Sequence, residues 1–159
     1  MSEYALLLQY KHGLETGAYT LNEFANFLDG KIQSAQRPFY PYIELSLNLS
    51  QGPLVVSQRI SQCFAEQGYE PSKKDWRNAW CALLNVVKKK YQRREITMKR
   101  AADIFHMLAA HFDRLGTLFD NFVYYYCSAW AGEYHKMTEV EAMFDVLLQS
   151  IAVDSCESF

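Results

Sequence analysis

The sequence lacks the motifs that mark the common catalytic and phosphate-binding sites. Its seven glycines form no glycine-rich loop of the kind that binds phosphate groups. There is no G-x-S-x-G motif, and none of the four cysteines lies in a recognisable active-site signature. We therefore predict a protein that is not an enzyme, with no catalytic residues and no cofactor. Paired carboxylates that meet only in the folded chain would leave no such pattern.

Long hydrophobic runs and paired cysteines are also missing. No window approaches the roughly 18 apolar residues of a membrane-spanning helix, and the stretch MSEYALLLQYKHG has no basic region ahead of its short apolar run. We expect neither a membrane span nor a signal peptide. Because there is no CxxC pair, we interpret Cys63, Cys81 and Cys127 as small hydrophobic residues on helix faces in a reducing compartment. These features predict a cytoplasmic protein.

The chain is rich in apolar and aromatic residues. Half of its 159 residues are hydrophobic and 15% are aromatic, which excludes disorder and suits a densely packed interior. This length fits a single helical domain over 1–159, with a frayed tail at 153–159.

The segment LFDNFVYYYCSAWA, residues 118–131, is the one around which we expect the fold to be organised. One helical face would carry Leu118, Phe119, Phe122, Val123, Tyr126 and Trp130. Tyr124, Tyr125 and Cys127 extend the apolar surface around much of the remainder. A helix that is apolar nearly all round packs against other helices on several sides, so we predict that 118–131 is the central core helix.

The other segments predict an all-α fold of about eight helices with antiparallel neighbours. A short first helix should end at Gly13, and three later helices should begin at capping boxes or close variants: Thr20-x-x-Glu23, Ser72-x-x-Asp75 and Thr138-x-x-Glu141. The segment PYIELSLNLS alternates with a period of two, which taken alone predicts a strand. Because no second convincing strand exists to pair with it, we prefer a short helix over 42–50.

The charges are unevenly distributed although the net charge is only −2. Residues 73–100 include ten basic and two acidic side chains, a net charge of +8, so the remainder of the chain carries −10. The acids of the C-terminal third either form an ordinary solvated surface or dock a cationic partner. The candidate partner-binding residues are Asp113, Asp120, Glu133, Tyr134, Glu139, Glu141 and Asp145.

The alternative is nucleic-acid contact through the basic run KKKYQRRE. Its cations are Lys88, Lys89, Lys90, Arg93 and Arg94. Cations are also favoured at helix C-termini, and Tyr91 continues a buried stripe, so its ring is not expected to be free for stacking on a base. The chain as a whole is not basic, which makes nucleic acid the less favoured partner.

The histidines do not predict a metal site. His106 and His111 are five residues apart, which on a helix points them about 140° away from each other. Asp103 and His106 have the spacing of two ligands, but two ligands do not make a metal site. We therefore predict structural or surface histidines and no bound metal.

The stretch RPFYPYIELSLNLS, Arg37 to Ser50, follows a capped helix and precedes the helix KKDWRNAWCALL. Over roughly residues 20–92, this arrangement resembles the small helical immunity proteins of bacterial contact-dependent inhibition and other polymorphic toxin systems. The resemblance implies a cytoplasmic protein that binds one toxin domain and blocks its active site. Many such toxins are nucleases with basic clefts, for which an acidic surface would substitute for the phosphates of the substrate. The resemblance itself identifies no binding residues.

Overall fold

The structure, a computed structural model, describes residues 2–111, 117–132 and 136–150. These ranges contain eight α-helices, one 3-10 helix and no β-strand, which confirms the all-α prediction. The α-helices are α1 (Glu3–Thr16), α2 (Leu21–Ser34), α3 (Tyr40–Ser46), α4 (Pro53–Glu66), α5 (Lys73–Gln92), α6 (Met98–His111), α7 (Thr117–Ala131) and α8 (Met137–Ser150). None of these helices, within the described ranges, combines the length and the apolar character needed to cross a membrane.

The helices pack as two compact units, Met1–Leu83 and Leu84–Phe159, and the division falls inside α5. In the first unit α1 contacts α4, and α3 contacts both α2 and α4. In the second unit α7 contacts α6 and α8. The single domain over 1–159 stays a prediction, and the tail at 153–159 lies outside the described residues.

Two of the three expected capping boxes are confirmed. The Thr20 amide donates to the Glu23 carboxylate at 2.7 Å, and the Glu23 amide donates back to the Thr20 hydroxyl at 3.2 Å. Ser72 and Asp75 form the same reciprocal pair, with N–O distances of 3.0 and 3.2 Å. Each pair satisfies two backbone amides that the helix itself leaves without acceptors.

The third expected box, Thr138 with Glu141, is wrong. Helix α8 begins at Met137, and the amide of Lys136 donates to the carboxylate of Glu139 at 3.1 Å. The same three-residue spacing therefore occurs two residues earlier than we predicted. As a result, Glu139 is the third residue of α8, and Glu141 lies beyond the first turn in which we expected it.

The short helix that we preferred over a strand for 42–50 is confirmed. Helix α3 spans Tyr40–Ser46, and a 3-10 helix follows at Leu49–Gln51. Tyr42 and Leu45 are buried, whereas Leu47 is exposed. This is burial at helical spacing, and the period-two pattern of the sequence does not correspond to an inner and an outer face.

Helix α1 continues past the end that we predicted at Gly13. It ends at Thr16, where Gly17 caps it with a φ of +75°, a conformation that glycine adopts without strain. Gly13 has a packing role instead. A Cβ atom there would lie 3.0 Å from Cε2 of Tyr19, closer still to Cδ2 of the same ring, and 3.1 Å from Cδ2 of Leu83.

Helix α7 lies over an aromatic core in the second unit. The rings of Phe105, Phe122 and Phe144 are all fully buried, with centroids 5.4 to 6.2 Å apart. The prediction of a helix at 118–131 is confirmed, but its apolar surface is not all covered. The side chain of Tyr124 is 60% exposed, and Cys127 is also exposed.

The three cysteines that we interpreted alike have different environments. Cys63 is a buried free thiol, as expected of a small hydrophobic residue. Cys127 is a free thiol at the surface, and Cys81 takes part in a disulfide bond. The interpretation as a reduced, small hydrophobic residue therefore fits Cys63, whereas Cys81 is buried but oxidised and Cys127 is reduced but exposed.

Candidate functional site

Exposed large apolar side chains cluster on α3 and at its C-terminal cap. The side chains of Tyr40, Ile43 and Leu47 are exposed, and the exposed fraction is 67% for Tyr40 and 78% for Leu47. Tyr40 and Ile43 belong to α3, and Leu47 is its C-cap with a helical backbone conformation. The three residues are spaced three and four apart, so they share one side. Five of the seven large hydrophobic side chains that are exposed in the described ranges lie between residues 40 and 55, the other two of the five being Leu54 and Val55 in the first turn of α4. We call Tyr40, Ile43 and Leu47 the α3 surface.

The opposite side of α3 is firmly anchored. Pro41, Tyr42 and Leu45 are buried, and the Tyr42 ring packs edge-on against Phe39 at 5.2 Å. The Tyr42 hydroxyl donates to the Glu3 carboxylate, which also accepts from Lys31 at 3.1 Å. The Tyr42 hydrogen bond is the main reason that the pKa of Glu3 is lowered. The α3 surface is thus presented on a helix held by packing and by hydrogen bonds.

Sequence reasoning did not identify the α3 surface. Its signal was present, since Tyr40, Ile43 and Leu47 fall on one side as soon as a helix is assigned to this segment. The alternation of polar and apolar residues suggested instead that Ile43 and Leu47 share an inner face with Leu45. A seven-residue helix next to two prolines is short enough for that alternation to mask the helical spacing.

The predicted acidic partner-binding residues are only partly described. Asp113, Glu133 and Tyr134 lie outside the described residues, as does the side chain of Asp120. Glu139, Glu141 and Asp145 are exposed on α8.

The three described acids do not form one row. Glu141 and Asp145 are four residues apart and share a side of α8. Glu139 lies well over 100° around the helix from both, by the 3.6-residue periodicity, and its carboxylate caps the helix start. The acidic surface therefore consists of Glu141 and Asp145 among the described residues.

The acidic and basic candidate residues meet within the second unit. Asp145 lines a concavity of about 250 Å³ together with Lys88 and Tyr91. From the sequence we considered the +8 segment and the acidic C-terminal third as separate surfaces. In the structure, Lys88 of one set and Asp145 of the other line the same concavity, so the two sets are not fully separate.

The basic segment ends α5 and continues into the next turn. Lys89, Arg93 and Arg94 are exposed, and an Arg93 nitrogen lies 3.8 Å from a Glu95 carboxylate oxygen. The Tyr91 ring packs edge-on against Phe144, with centroids 5.2 Å apart, which confirms that Tyr91 continues the apolar stripe. This ring is therefore half-buried and in contact with the core, which disfavours its stacking on a nucleic-acid base.

Arg94 has a left-handed backbone conformation, with a φ of +59°. Its amide donates to Tyr91 O and the Glu95 amide donates to Lys90 O, both at 2.9 Å. This is the usual hydrogen bonding after a helix C-terminus, where glycine is the favoured residue. Arginine at this position costs about 1 kcal/mol of backbone strain relative to glycine.

Asp103 and His106, which have the spacing of two metal ligands, make other contacts in the structure. No group of three metal-ligating side chains occurs in the part of the chain that the structure describes. The Asp103 carboxylate accepts a hydrogen bond from the Tyr126 hydroxyl, and burial together with that bond raises the pKa of Tyr126. His106 is a surface histidine, as predicted, and its Nδ1 lies 3.7 Å from Sγ of Cys127. The side chain of His111 lies outside the described residues.

Comparison of the chain with protein-family models, with curated proteins and with solved structures gives no match. The described residues form an all-α fold of eight α-helices. Because a fold alone does not define a function, the assignment rests on particular residues and surfaces.

Proposed function

We propose that this chain is a cytoplasmic immunity protein, which binds a cognate bacterial toxin domain stoichiometrically and blocks its active site without catalysing a reaction. The observation that carries this proposal is the α3 surface. It falls inside the Arg37–Ser50 segment that resembles immunity proteins. Its three residues are exposed on a helix whose other side is buried.

The α3 surface has the properties of a protein-binding site. Single exposed apolar residues are normal on protein surfaces, but contiguous ones mark interaction sites. A tyrosine flanked by aliphatic side chains is also typical of the few residues that contribute most of the binding free energy of an interface. Because α3 is anchored by Tyr42 and Leu45, little conformational entropy would be lost when a partner binds it.

The acidic surface of Glu141 and Asp145 supports a cationic partner such as a nuclease toxin. Acidic groups facing a basic cleft accelerate association more than they tighten binding. In this proposal, the α3 surface provides most of the affinity, and the α8 carboxylates increase the rate of association. The two contributions are separable by mutation.

The first experiment is a tagged purification from the native cell, with mass spectrometry and the ratio of absorbance at 260 and 280 nm on the eluate. The proposal predicts one small partner domain in stoichiometric amount, free of nucleic acid. An eluate loaded with nucleic acid would favour the alternative of contact through 88–94. Recovery of no stoichiometric partner contradicts the immunity function.

The second experiment measures binding of the recovered toxin domain to surface variants. Leu47→Asp should raise the Kd by about 30-fold or more, equivalent to about 2 kcal/mol of lost binding free energy, because it places a charge in a desolvated contact. Val146→Asp is the matched control, since Val146 is an exposed apolar residue of α8 located about 100° or more around the helix from Glu141 and Asp145. Equal Kd values for the wild type and Leu47→Asp would exclude the α3 surface as the toxin-binding site.

Charge reversal tests the other surface. Glu141→Lys with Asp145→Lys should slow association by roughly tenfold at low salt and have a smaller effect at high salt, because screening removes the long-range attraction. A change in the dissociation rate alone would show that these carboxylates contact the partner without steering it.

A further inference from the structure

Cys127 and His106 form a thiol–imidazole pair at the surface of the second unit. Cys127 Sγ on α7 lies 3.7 Å from Nδ1 of His106 on α6, within hydrogen-bond distance for sulfur. Both side chains are exposed, and the thiol is not part of a disulfide bond. A nucleophile and a base in contact are the minimum arrangement for thiol chemistry, and solvent exposure makes the sulfur accessible to a reagent.

The pair lies in a concavity rather than on a flat surface. Asp103, His106, Tyr126 and Cys127 line an open volume of about 360 Å³, within the range of small-molecule sites. The Tyr126 hydroxyl donates to Asp103, which links α6 to α7 beside the pair, and the Phe105 and Phe122 rings make a further contact between the same helices. The relative position of Cys127 and His106 is therefore set by two packed helices.

We propose that Cys127 is a modification site that reacts with a low-molecular-weight disulfide, with His106 as the base. As Cys127 Sγ attacks one sulfur of the disulfide, Nδ1 of His106 accepts the thiol proton. A bond forms between Sγ and that sulfur, and the original S–S bond breaks. The departing thiolate takes up the proton from His106. The products are a mixed disulfide on Cys127 and one free small thiol, so the small disulfide is the oxidant and is half reduced.

The chain contains an internal reference for this reactivity. Cys63 is buried, and its Sγ lies 4.0 Å from a Glu44 carboxylate oxygen instead of an imidazole. Burial, with Glu44 and Glu66 nearby, raises the pKa of the Cys63 thiol to about 11. Cys63 is therefore poorly accessible and poorly ionised at neutral pH, and it should react slowly with the same reagent.

The test uses the full chain with oxidised glutathione at neutral pH, followed by peptide mapping by mass spectrometry. The mixed disulfide should form on Cys127 at least tenfold faster than on Cys63. Cys127→Ser should eliminate this fast adduct. His106→Gln, at an exposed position that tolerates substitution, should slow adduct formation on Cys127 about tenfold while the circular dichroism spectrum is unchanged.

Iodoacetamide provides a second measurement, because it reports the nucleophilicity of the thiol without a disulfide leaving group. The same His106→Gln variant should slow alkylation of Cys127 and leave alkylation of Cys63 unchanged. Equal rates at Cys127 with and without His106, for both reagents, would overturn the assignment of His106 as the base. Equal rates at Cys127 and Cys63 in the wild type would overturn the modification site itself.

Discussion

Helices α1 and α7 both contribute to the cores of their respective units, but with different kinds of side chain. In α7 the described buried residues are mainly aromatic, and the Phe122 ring packs with Phe105 and Phe144. Helix α1 buries three polar residues, Gln9, His12 and Thr16, whereas the described part of α7 buries one, Ser128. Yet α7, the more apolar of the two by sequence, exposes Tyr124 and Cys127.

Hydrogen bonding explains how α1 tolerates this burial. The Gln9 amide donates to the Tyr19 hydroxyl, and the Thr16 hydroxyl donates to His12 O at 2.8 Å. Around Glu15, the Ser57 hydroxyl donates to Oε1 at 2.6 Å and Lys11 Nζ donates to the same oxygen at 2.8 Å. The apolar character of a helix therefore does not determine its burial, because polar groups with partners can be buried at little cost.

The largest effect is expected from the aromatic core of α7. Phe122→Ala should lower the free energy of unfolding by about 3–4 kcal/mol, since Phe122 is fully buried and its loss leaves a cavity between Phe105 and Phe144. Denaturant unfolding followed by circular dichroism measures this change. Tyr124→Ala, two residues away and largely exposed, is the matched control and should change stability by less than about 0.5 kcal/mol. Similar losses for both variants would show that Tyr124 is covered in solution.

The second largest loss of stability is expected from the hydrogen bonds around Glu15 in α1. Glu15→Gln should cost about 2 kcal/mol, because the Ser57 hydroxyl and the Lys11 ammonium lose a charged acceptor at a largely buried position. Glu66→Gln, an exposed glutamate on α4, is the control and should have little effect. A loss for Glu15→Gln no larger than that for Glu66→Gln would mean that the network contributes nothing.

Glu15 also predicts a dependence of stability on pH. Burial alone would raise its pKa, but hydrogen bonds from His12, Lys11 and Ser57 outweigh burial and lower the pKa to about 2. Because the folded-state pKa lies below the ordinary value of 4.5, this contribution is fully present above about pH 4.5 and is lost as the pH falls toward 2. The free energy of unfolding of Glu15→Gln should therefore fall less steeply with decreasing pH over that interval than that of the wild type. An unchanged slope would contradict the lowered pKa.

The contrast between α1 and α7 also shows what the sequence predicts well. Helix identity and the caps at Thr20 and Ser72 follow from local signals, because capping pairs lie three residues apart. The short helix near residue 42 was predicted against its local alternation, because the sequence has no second convincing strand to pair with it. The partners of buried polar groups do not follow. Ser57 is 42 residues from Glu15, so the sequence does not show that they meet.

The candidate sites show the same limit. The α3 surface follows from helical spacing once α3 is assigned, whereas Cys127 and His106 lie 21 residues apart on two helices and are paired only by the packing of α6 against α7. The acidic candidates were chosen by composition. Their separation into Glu139 at a cap and Glu141 with Asp145 on another side of α8 depends on where the helix begins, which the sequence misplaced by two residues.

Two glycines of the first unit test how tightly α1 is packed, with the smallest expected effects. Gly13→Ala should destabilise the fold by about 1–2 kcal/mol, because the new Cβ would overlap the Tyr19 ring and crowd Leu83, and this strain exceeds the gain in helix propensity. Gly30→Ala lies in α2 with no atom within 4 Å of the new Cβ, so it should stabilise the fold by about 0.5–1 kcal/mol.

The opposite signs of these two changes are the informative result, because both variants exchange the same atoms within a helix. Thermal unfolding monitored by circular dichroism should place the Tm of Gly13→Ala below the wild type and that of Gly30→Ala above it. If both substitutions raised the Tm, propensity alone would account for them, and the Tyr19 ring would have to move away from α1 at little cost. The close packing of α1 against Tyr19 would then not be what defines its position in the first unit.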